Sequence, residues 1–173
     1  DRHGVIGTEE ALEVLVGVAS ALEVAAEAGI THRDIKPENV MRNVRGIIKV
    51  ADFGLARIGT DVDATQSNLT QVGLTLGTPR YMSPEQVQGK TVDTRSDLYS
   101  LGVTAYHLLA GRPPFEADDS LALALMHLHE TPVPLDRNRA RYDAEGDPDL
   151  PEWLIAVIAR LMNKLPQDRF QSP

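Results

Sequence analysis

Thr31-His32-Arg33-Asp34-Ile35-Lys36-Pro37-Glu38-Asn39 is the stretch on which the reading of this chain turns. From His32 to Asn39 it gathers an imidazole, a guanidinium, a carboxylate, an ammonium and an amide. A surface turn calls for Gly, Pro or Asn, but has no use for five polar chemistries set between apolar segments. Pro37 fixes its own φ and keeps Lys36 out of the helical region, so an ordered loop is expected here.

Upstream, residues Thr8 to Ala28 carry apolar side chains at Leu12, Leu15, Val16, Ala19, Leu22 and Ala26, a helical spacing. Thr8 is expected to cap this helix, Glu9 and Glu10 suit its positive end, and Gly29 can stop it. Its task is to deliver the chain to Thr31. Downstream, Val40-Met41-Arg42 and Ile47-Ile48-Lys49-Val50 flank Asn43-Val44-Arg45-Gly46, which suits a hairpin turn. The hairpin runs directly into Asp52-Phe53-Gly54. Residues Leu55 to Met82 show no sustained period, and so long a loop in a compact domain points to function or disorder.

Beyond it, Asp97 to Leu109 reads apolar nearly all round, as a central buried helix should, and Gly111, Pro113 and Pro114 stop it. Asp118 to His129 is expected as a helix with Leu121, Leu125 and Leu128 on one face. Thr131 to Asp149 reads as an exposed connection. Pro151 opens a last helix through Trp153, Val157, Ile158, Leu161 and Met162. The expected fold class is α+β and mainly helical, one domain, with a small β-hairpin beside the polar loop.

Composition narrows the function. The 173 residues include 25 acidic and 17 basic ones, a formal net charge of −8, which argues against nucleic acid as a partner. There is no Cys, hence no disulfide or thiolate metal site, which fits a reducing compartment. No uninterrupted apolar run of about 18 residues occurs, so no membrane-spanning segment is expected. Asp1 is not a natural start, and the true N-terminus is expected upstream.

The polar residues suit phosphoryl transfer, which needs in-line positioning, neutralised phosphate charge and a carboxylate to receive a hydroxyl proton. Asp34 fits that carboxylate. Asn39, five residues on, and Asp52, thirteen further, offer hard oxygens for Mg²⁺ or Mn²⁺, and a hairpin between them can fold both toward one place. Lys36 can meet a phosphate as a point charge. Taken singly, each motif is weak: an Arg-Asp pair is common on surfaces, and Asp-Phe-Gly describes many turns.

Together and in order, HRDIKPEN, DFG, GTPRYMSPE, SDLYSLG and Arg169 resemble the eukaryotic-type serine/threonine protein kinases, over essentially the whole chain. GTPRYMSPEQ and SDLYSLGVTAYHLLAGRPPF are most similar to bacterial members. The resemblance implies a protein-kinase-like fold, of which residues 1–173 form the C-terminal lobe. It implies Asp34 as catalytic base, Lys36 on the γ-phosphate of ATP, Thr78 bridging Asp34 and Lys36, and Asn39 and Asp52 as magnesium ligands. His32 and Phe53 are then stacked in an internal apolar spine, Asp97 anchors the loop backbone, and Glu85 pairs with Arg169. Lys36 followed by Pro-Glu-Asn marks enzymes acting on serine and threonine of protein substrates. Ser83 stands where the family's Ala-Pro-Glu has alanine.

Neither a Gly-x-Gly-x-x-Gly loop nor a Val-Ala-x-Lys strand precedes the catalytic loop, and Lys49 lies in the wrong hairpin to replace that lysine. The N-lobe that covers ATP is therefore expected outside this chain, and residues 1–173 alone should transfer little phosphate. A cytoplasmic location is implied, with tethering to the inner face of a membrane by segments outside the chain, and a homodimer as one route to autophosphorylation. Two competing readings are a pseudokinase scaffold, opposed by intact Asp34, Lys36, Asn39 and Asp52, and a small-molecule phosphotransferase, opposed by the docking segment from Gly77 to Glu85.

Arg33, next to Asp34, implies regulation by a phosphate on Thr70 or Thr75, with Thr65 and Ser67 behind them. Phosphopeptide mapping of the autophosphorylated enzyme is expected to find phosphate at Thr70 or Thr75, and a Thr70→Ala/Thr75→Ala double variant to lose most activity. Full activity in that variant would remove the role assigned to Arg33.

Overall fold

The computed structural model describes residues 6–53, 79–139 and 150–173. Helix α1 (Thr8–Glu27) starts one residue earlier than a Thr8 cap would allow: Gly7 occupies the cap position and Thr8 is already helical. It ends as expected, because Gly29 adopts φ 71° and its N–H reaches the Ala26 carbonyl at 2.9 Å while Ile30 donates to Ala25 at 2.8 Å. The buried stripe is Ala11, Val14, Leu15, Val18, Leu22 and Ala25, turned from the expected one so that Val16 is 64% exposed. The small residues decide this rotation. Gly17 faces the hairpin so closely that a Cβ there would lie 2.5 Å from Ile48 Cβ.

That hairpin pairs β1 (Val40–Arg42) with β2 (Ile48–Val50) antiparallel, Val40 opposite Val50 and Arg42 opposite Ile48. Asn43 builds its turn: the side-chain Oδ1 accepts from Arg45 N–H at 2.9 Å and Ile47 N–H at 3.0 Å, so Ile47 belongs to the turn rather than the strand. Gly46 supplies the left-handed residue at φ 79°. Arg42 reaches Glu13 of α1 at 2.8 Å, a half-exposed pair that adds little stability but fixes orientation.

A short helix absent from the sequence reading, α2 (Pro84–Val87), follows a full capping box between Ser83 and Gln86. Helix α3 (Thr94–Ala110) begins earlier than Asp97, because the Asp93 side chain accepts from Arg95 N–H at 2.9 Å and caps it. It is buried nearly all round, as expected, and Gly111 at φ 75° closes it. Helix α4 (Ser120–His129) is capped by Asp119. Its core face is Leu123, Ala124 and His127, whereas Leu121 and Leu125 are 50% and 42% exposed. The face expected to carry Leu121, Leu125 and Leu128 thus looks outward at its first two leucines, with Leu128 half-buried, and His127 gives the reason. Its Nδ1 lies 2.9 Å from Tyr99 Oη, and its ring meets the Phe115 ring edge-on at 5.0 Å, so a polar partner fixes which side turns inward.

The connection after Thr131 is less exposed than expected. Helix α5 (Leu135–Arg139) buries Leu135 and Asn138, and Asn138 donates to the Tyr106 hydroxyl at 2.7 Å. Helix α6 (Glu152–Leu161) starts after Pro151 and buries Leu154, Ile158 and Leu161, leaving Trp153 outside. It lies against α3 at Gly102, where an added Cβ would sit 2.8 Å from Leu161 Cβ. The architecture is mainly helical, with α1 and α6 packed on α3 and the hairpin laid on α1.

One buried ion pair locks α2 to the end of the chain. Arg169, fully buried, donates from Nη1 and Nη2 to the two Glu85 oxygens at 2.7 and 2.9 Å. Its remaining donors go to the carbonyls of Arg95, Lys164 and Asn163, at 2.8, 3.0 and 2.7 Å, so all five N–H groups are used. Ser96 Oγ also donates to Glu85. Burial would raise the Glu85 pKa, but the hydrogen bonds from Arg169 and Ser96 outweigh it and hold the carboxyl below its ordinary value. Replacing Arg169 by Met strands that carboxylate, and urea unfolding should show a loss of about 3–5 kcal/mol. Because Glu85 is more acidic folded than unfolded, the difference between parent and variant should be complete at neutral pH and shrink as pH falls through the carboxylate range. A loss below about 1 kcal/mol, the size of an exposed pair, would contradict this.

Candidate active site

The polar loop is held by its backbone. Asp97, buried at the start of α3, accepts the His32 N–H at 2.8 Å on Oδ2 and the Arg33 N–H at 2.7 Å on Oδ1. Burial pushes the Asp97 carboxyl above its usual pKa, and the N–H groups of Arg33 and His32 act against that rise. Arg33 itself takes φ 69°, in the left-handed region that disfavours a side-chain-bearing residue by roughly 1–2 kcal/mol. Its peptide groups are pinned on both sides: N–H to Asp97, and C=O to Gln86 Nε2 at 2.8 Å. The Arg33 side chain stays exposed.

His32 adds a second brace. Its Nδ1 accepts the Asp34 N–H at 3.2 Å, so the ring hydrogen sits on Nε2, which donates to the Ala51 carbonyl at 2.8 Å. The same ring meets Phe53 edge-on with centroids 4.6 Å apart. The loop is thereby tied to the chain leaving the second strand of the hairpin.

The ladder brings the two candidate metal ligands to neighbouring rungs. Val40 pairs with Val50, and one step outward the Asn39 carbonyl accepts the Ala51 N–H at 2.8 Å. Asp52 follows, with φ 59° and an exposed side chain. Asn39 is buried, and its Nδ2 donates to the Asp34 carbonyl at 2.8 Å and to Asp34 Oδ2 at 3.1 Å. With the amide nitrogen spent, Oδ1 is the atom left to face a cation. Lys36 Nζ lies 2.7 Å from the same Asp34 Oδ2. Among the described residues no group of three or more His, Asp or Glu side chains is placed to hold a metal ion. The pair Asn39 and Asp52 suits Mg²⁺, which keeps waters and ligand phosphates in its octahedron rather than an all-protein cage.

The segment from Pro79 to Ser83 rests on α3. Ser100 Oγ donates to the Tyr81 carbonyl at 2.7 Å, and Tyr81 Oη lies 2.6 Å from His107 Nδ1. Burial, then the Glu38 charge, pushes the Tyr81 phenol up to about 12, so it keeps its proton. Burial and the charge of Arg80 hold His107 below its ordinary pKa. Gln86, Ser100 and His107 were not among the residues singled out from sequence. Their partners lie 53, 19 and 26 positions away, and although Ser83-x-x-Gln86 has the spacing of a capping box, no local pattern marks these distant bonds. Thr70, Thr75 and Thr78 lie outside the described residues.

Among the described residues no helix is long and apolar enough to cross a membrane. A family model described as protein kinase domain matches residues 1–172. Serine/threonine-protein kinase PknB of Mycolicibacterium smegmatis is 40% identical over 169 residues, 98% of this chain and 25% of that protein. Serine/threonine-protein kinase PksC of Streptomyces coelicolor is 44% identical over 172 residues, 99% of this chain and 29% of that protein. The crystal structure of the Mycobacterium tuberculosis PknI kinase domain superposes with a TM-score of 0.67 at 32% identity, over 97% of this chain and 52% of that one. The chain thus spans between a quarter and a third of the length of these curated relatives.

Asp97→Asn keeps one acceptor oxygen and turns an N–H donor toward the other loop amide. Amide hydrogen exchange at His32 or Arg33 should then speed up about tenfold, the equivalent of one charge-assisted hydrogen bond. Unchanged protection at both amides would mean that the loop is held by something else.

Proposed function

The chain belongs to the protein kinase domain family, and we propose that it is the catalytic lobe of an enzyme that transfers the γ-phosphoryl group of ATP to serine or threonine hydroxyls of protein substrates. The observation that carries this reading is the arrangement around Asp34: one carboxylate fixed by Lys36 and Asn39, in a loop bolted to Asp97, with Asp52 a rung away. The bacterial relatives named as serine/threonine kinases support it.

In this reading Asp34 receives the hydroxyl proton. Two donors on Oδ2 leave Oδ1 to accept the hydrogen of the incoming alcohol. Lys36, already beside Asp34, contacts the transferred phosphoryl group as a cation, and Thr78 bridges Asp34 and Lys36. Asn39 and Asp52 would hold Mg²⁺, or Mn²⁺ in its place. When bound, the metal supplies neutralisation of the phosphate charge. The chain's own contribution is otherwise positional: an apolar brace of His32 and Phe53, a buried anchor at Asp97, and a docking segment resting on Ser100 and His107.

We place the adenine-covering N-lobe, with the Gly-rich loop and the ATP lysine, outside these 173 residues, and the enzyme in the cytoplasm. Activation proceeds through a phosphate on Thr70 or Thr75 drawn to Arg33. Pairing of two copies is a route to placing it there.

Radiolabel transfer from ATP to a generic protein substrate by the full-length protein tests the reading. Asp34→Asn should lower the rate at least about a hundredfold, the scale of a lost general base, and residues 1–173 alone should transfer none that is measurable. Equal transfer by parent and Asp34→Asn would contradict the assignment.

A further inference from the structure

We propose that Gln86 is a positioning residue that ties the docking segment to the catalytic loop through the backbone carbonyl of Arg33. The inference rests on the kinase reading above. Gln86 is buried in α2, three residues after its cap, Ser83. Its Oε1 accepts the Ser83 N–H at 2.9 Å, and its own N–H reaches Ser83 Oγ at 3.3 Å. A glutamate would complete this capping box equally well, since the box uses only a side-chain oxygen. The box therefore leaves the amide nitrogen unexplained. That nitrogen goes to Arg33 O at 2.8 Å, across 53 positions of sequence. A glutamate could not make this bond.

The carbonyl it reaches is a critical one. Arg33 C=O and Asp34 N–H belong to one peptide plane, which is rigid. Gln86 holds the carbonyl end of that plane, and His32 Nδ1 accepts from its N–H end at 3.2 Å. The preceding plane is fixed by Asp97 through Arg33 N–H, and the residue between them sits at φ 69°. A left-handed Arg33 returns toward commoner backbone angles once its peptides are freed, and any such rotation swings the Cα–Cβ bond of Asp34. Gln86 closes the last of these restraints, and it does so from the segment that receives the protein substrate. Order in the docking segment and orientation of Asp34 are thus one structural event.

The test uses full-length protein carrying Gln86→Glu or Gln86→Met. The first keeps the capping oxygen and loses the donor; the second loses both and introduces no charge. Asp119→Ala, which removes the exposed cap of α4, a side chain that accepts from Leu121 and Ala122 N–H of its own helix and not from Gln86 or Arg33, supplies a destabilised control. Both Gln86 variants should lower kcat per folded molecule about tenfold, as misplacement of a reacting group does, with the KM for ATP within about twofold of the parent. The carbonyl-carbon resonance of Arg33 should move in both. Asp119→Ala should lower thermal stability yet keep kcat within about twofold. An active parent whose Gln86 variants keep kcat, or an Arg33 carbonyl resonance that stays in place, overturns the role of Gln86 alone. An inactive parent overturns the kinase reading and this inference with it.

Discussion

The two hydrogen bonds from Asp97 to consecutive backbone N–H groups are the constraint on which the site depends. A carboxylate buried at the start of a central helix is unfavourable until donors meet it. Here the donors are His32 and Arg33, at 2.8 and 2.7 Å. The satisfaction is mutual. The loop supplies what the buried charge lacks, and the charge holds Arg33 in a backbone conformation that it would otherwise leave. Asp34 follows directly, so its direction is inherited from an interaction in which it has no part.

Helix α3 repeats this device along its length. It is buried on nearly every side yet contains polar residues, and several of them reach outward to separate segments. Ser96 donates to Glu85, Ser100 to the Tyr81 carbonyl, and Tyr106 to the Val133 carbonyl, while Tyr99 meets His127 and His107 meets Tyr81. Buried polar groups must be paired, and pairing them with short helices and loops alike makes one rigid element the common reference for several segments. At Gly102, where α6 comes too close for any side chain, the same helix is fixed by α6 as well.

Much of this was legible in the sequence, for identifiable reasons. The hairpin was legible because Asn43 and Gly46 are turn residues with backbone roles, and it places Asn39 and Asp52 on adjacent rungs. The central helix was legible because apolar residues fall on nearly every side of it between Leu98 and Leu109. Helix faces were less so. On α1 the stripe turned because Gly17, which contributes nothing to hydrophobic spacing, is the point of closest approach to Ile48. On α4 the leucine spacing did not reveal that Leu121 and Leu125 face outward, because His127, a polar residue, is buried against Tyr99 and Phe115. Gln86 was invisible for a related reason. Periodicity reports which residues avoid water, whereas its function lies in a single amide hydrogen bond to a distant carbonyl.

The central claim is that the hairpin and the Asp97 anchor bring Asn39 and Asp52 to one nucleotide–metal site beside Asp34. It is tested most directly by titrating the full-length protein with Mn²⁺ and a non-hydrolysable ATP analogue while following backbone resonances. Paramagnetic broadening centred on Asn39, Ala51 and Asp52, and abolished by Asp52→Asn, is the expected result. Broadening centred elsewhere, with these three resonances untouched at saturating nucleotide, would contradict the convergence of the two ligands.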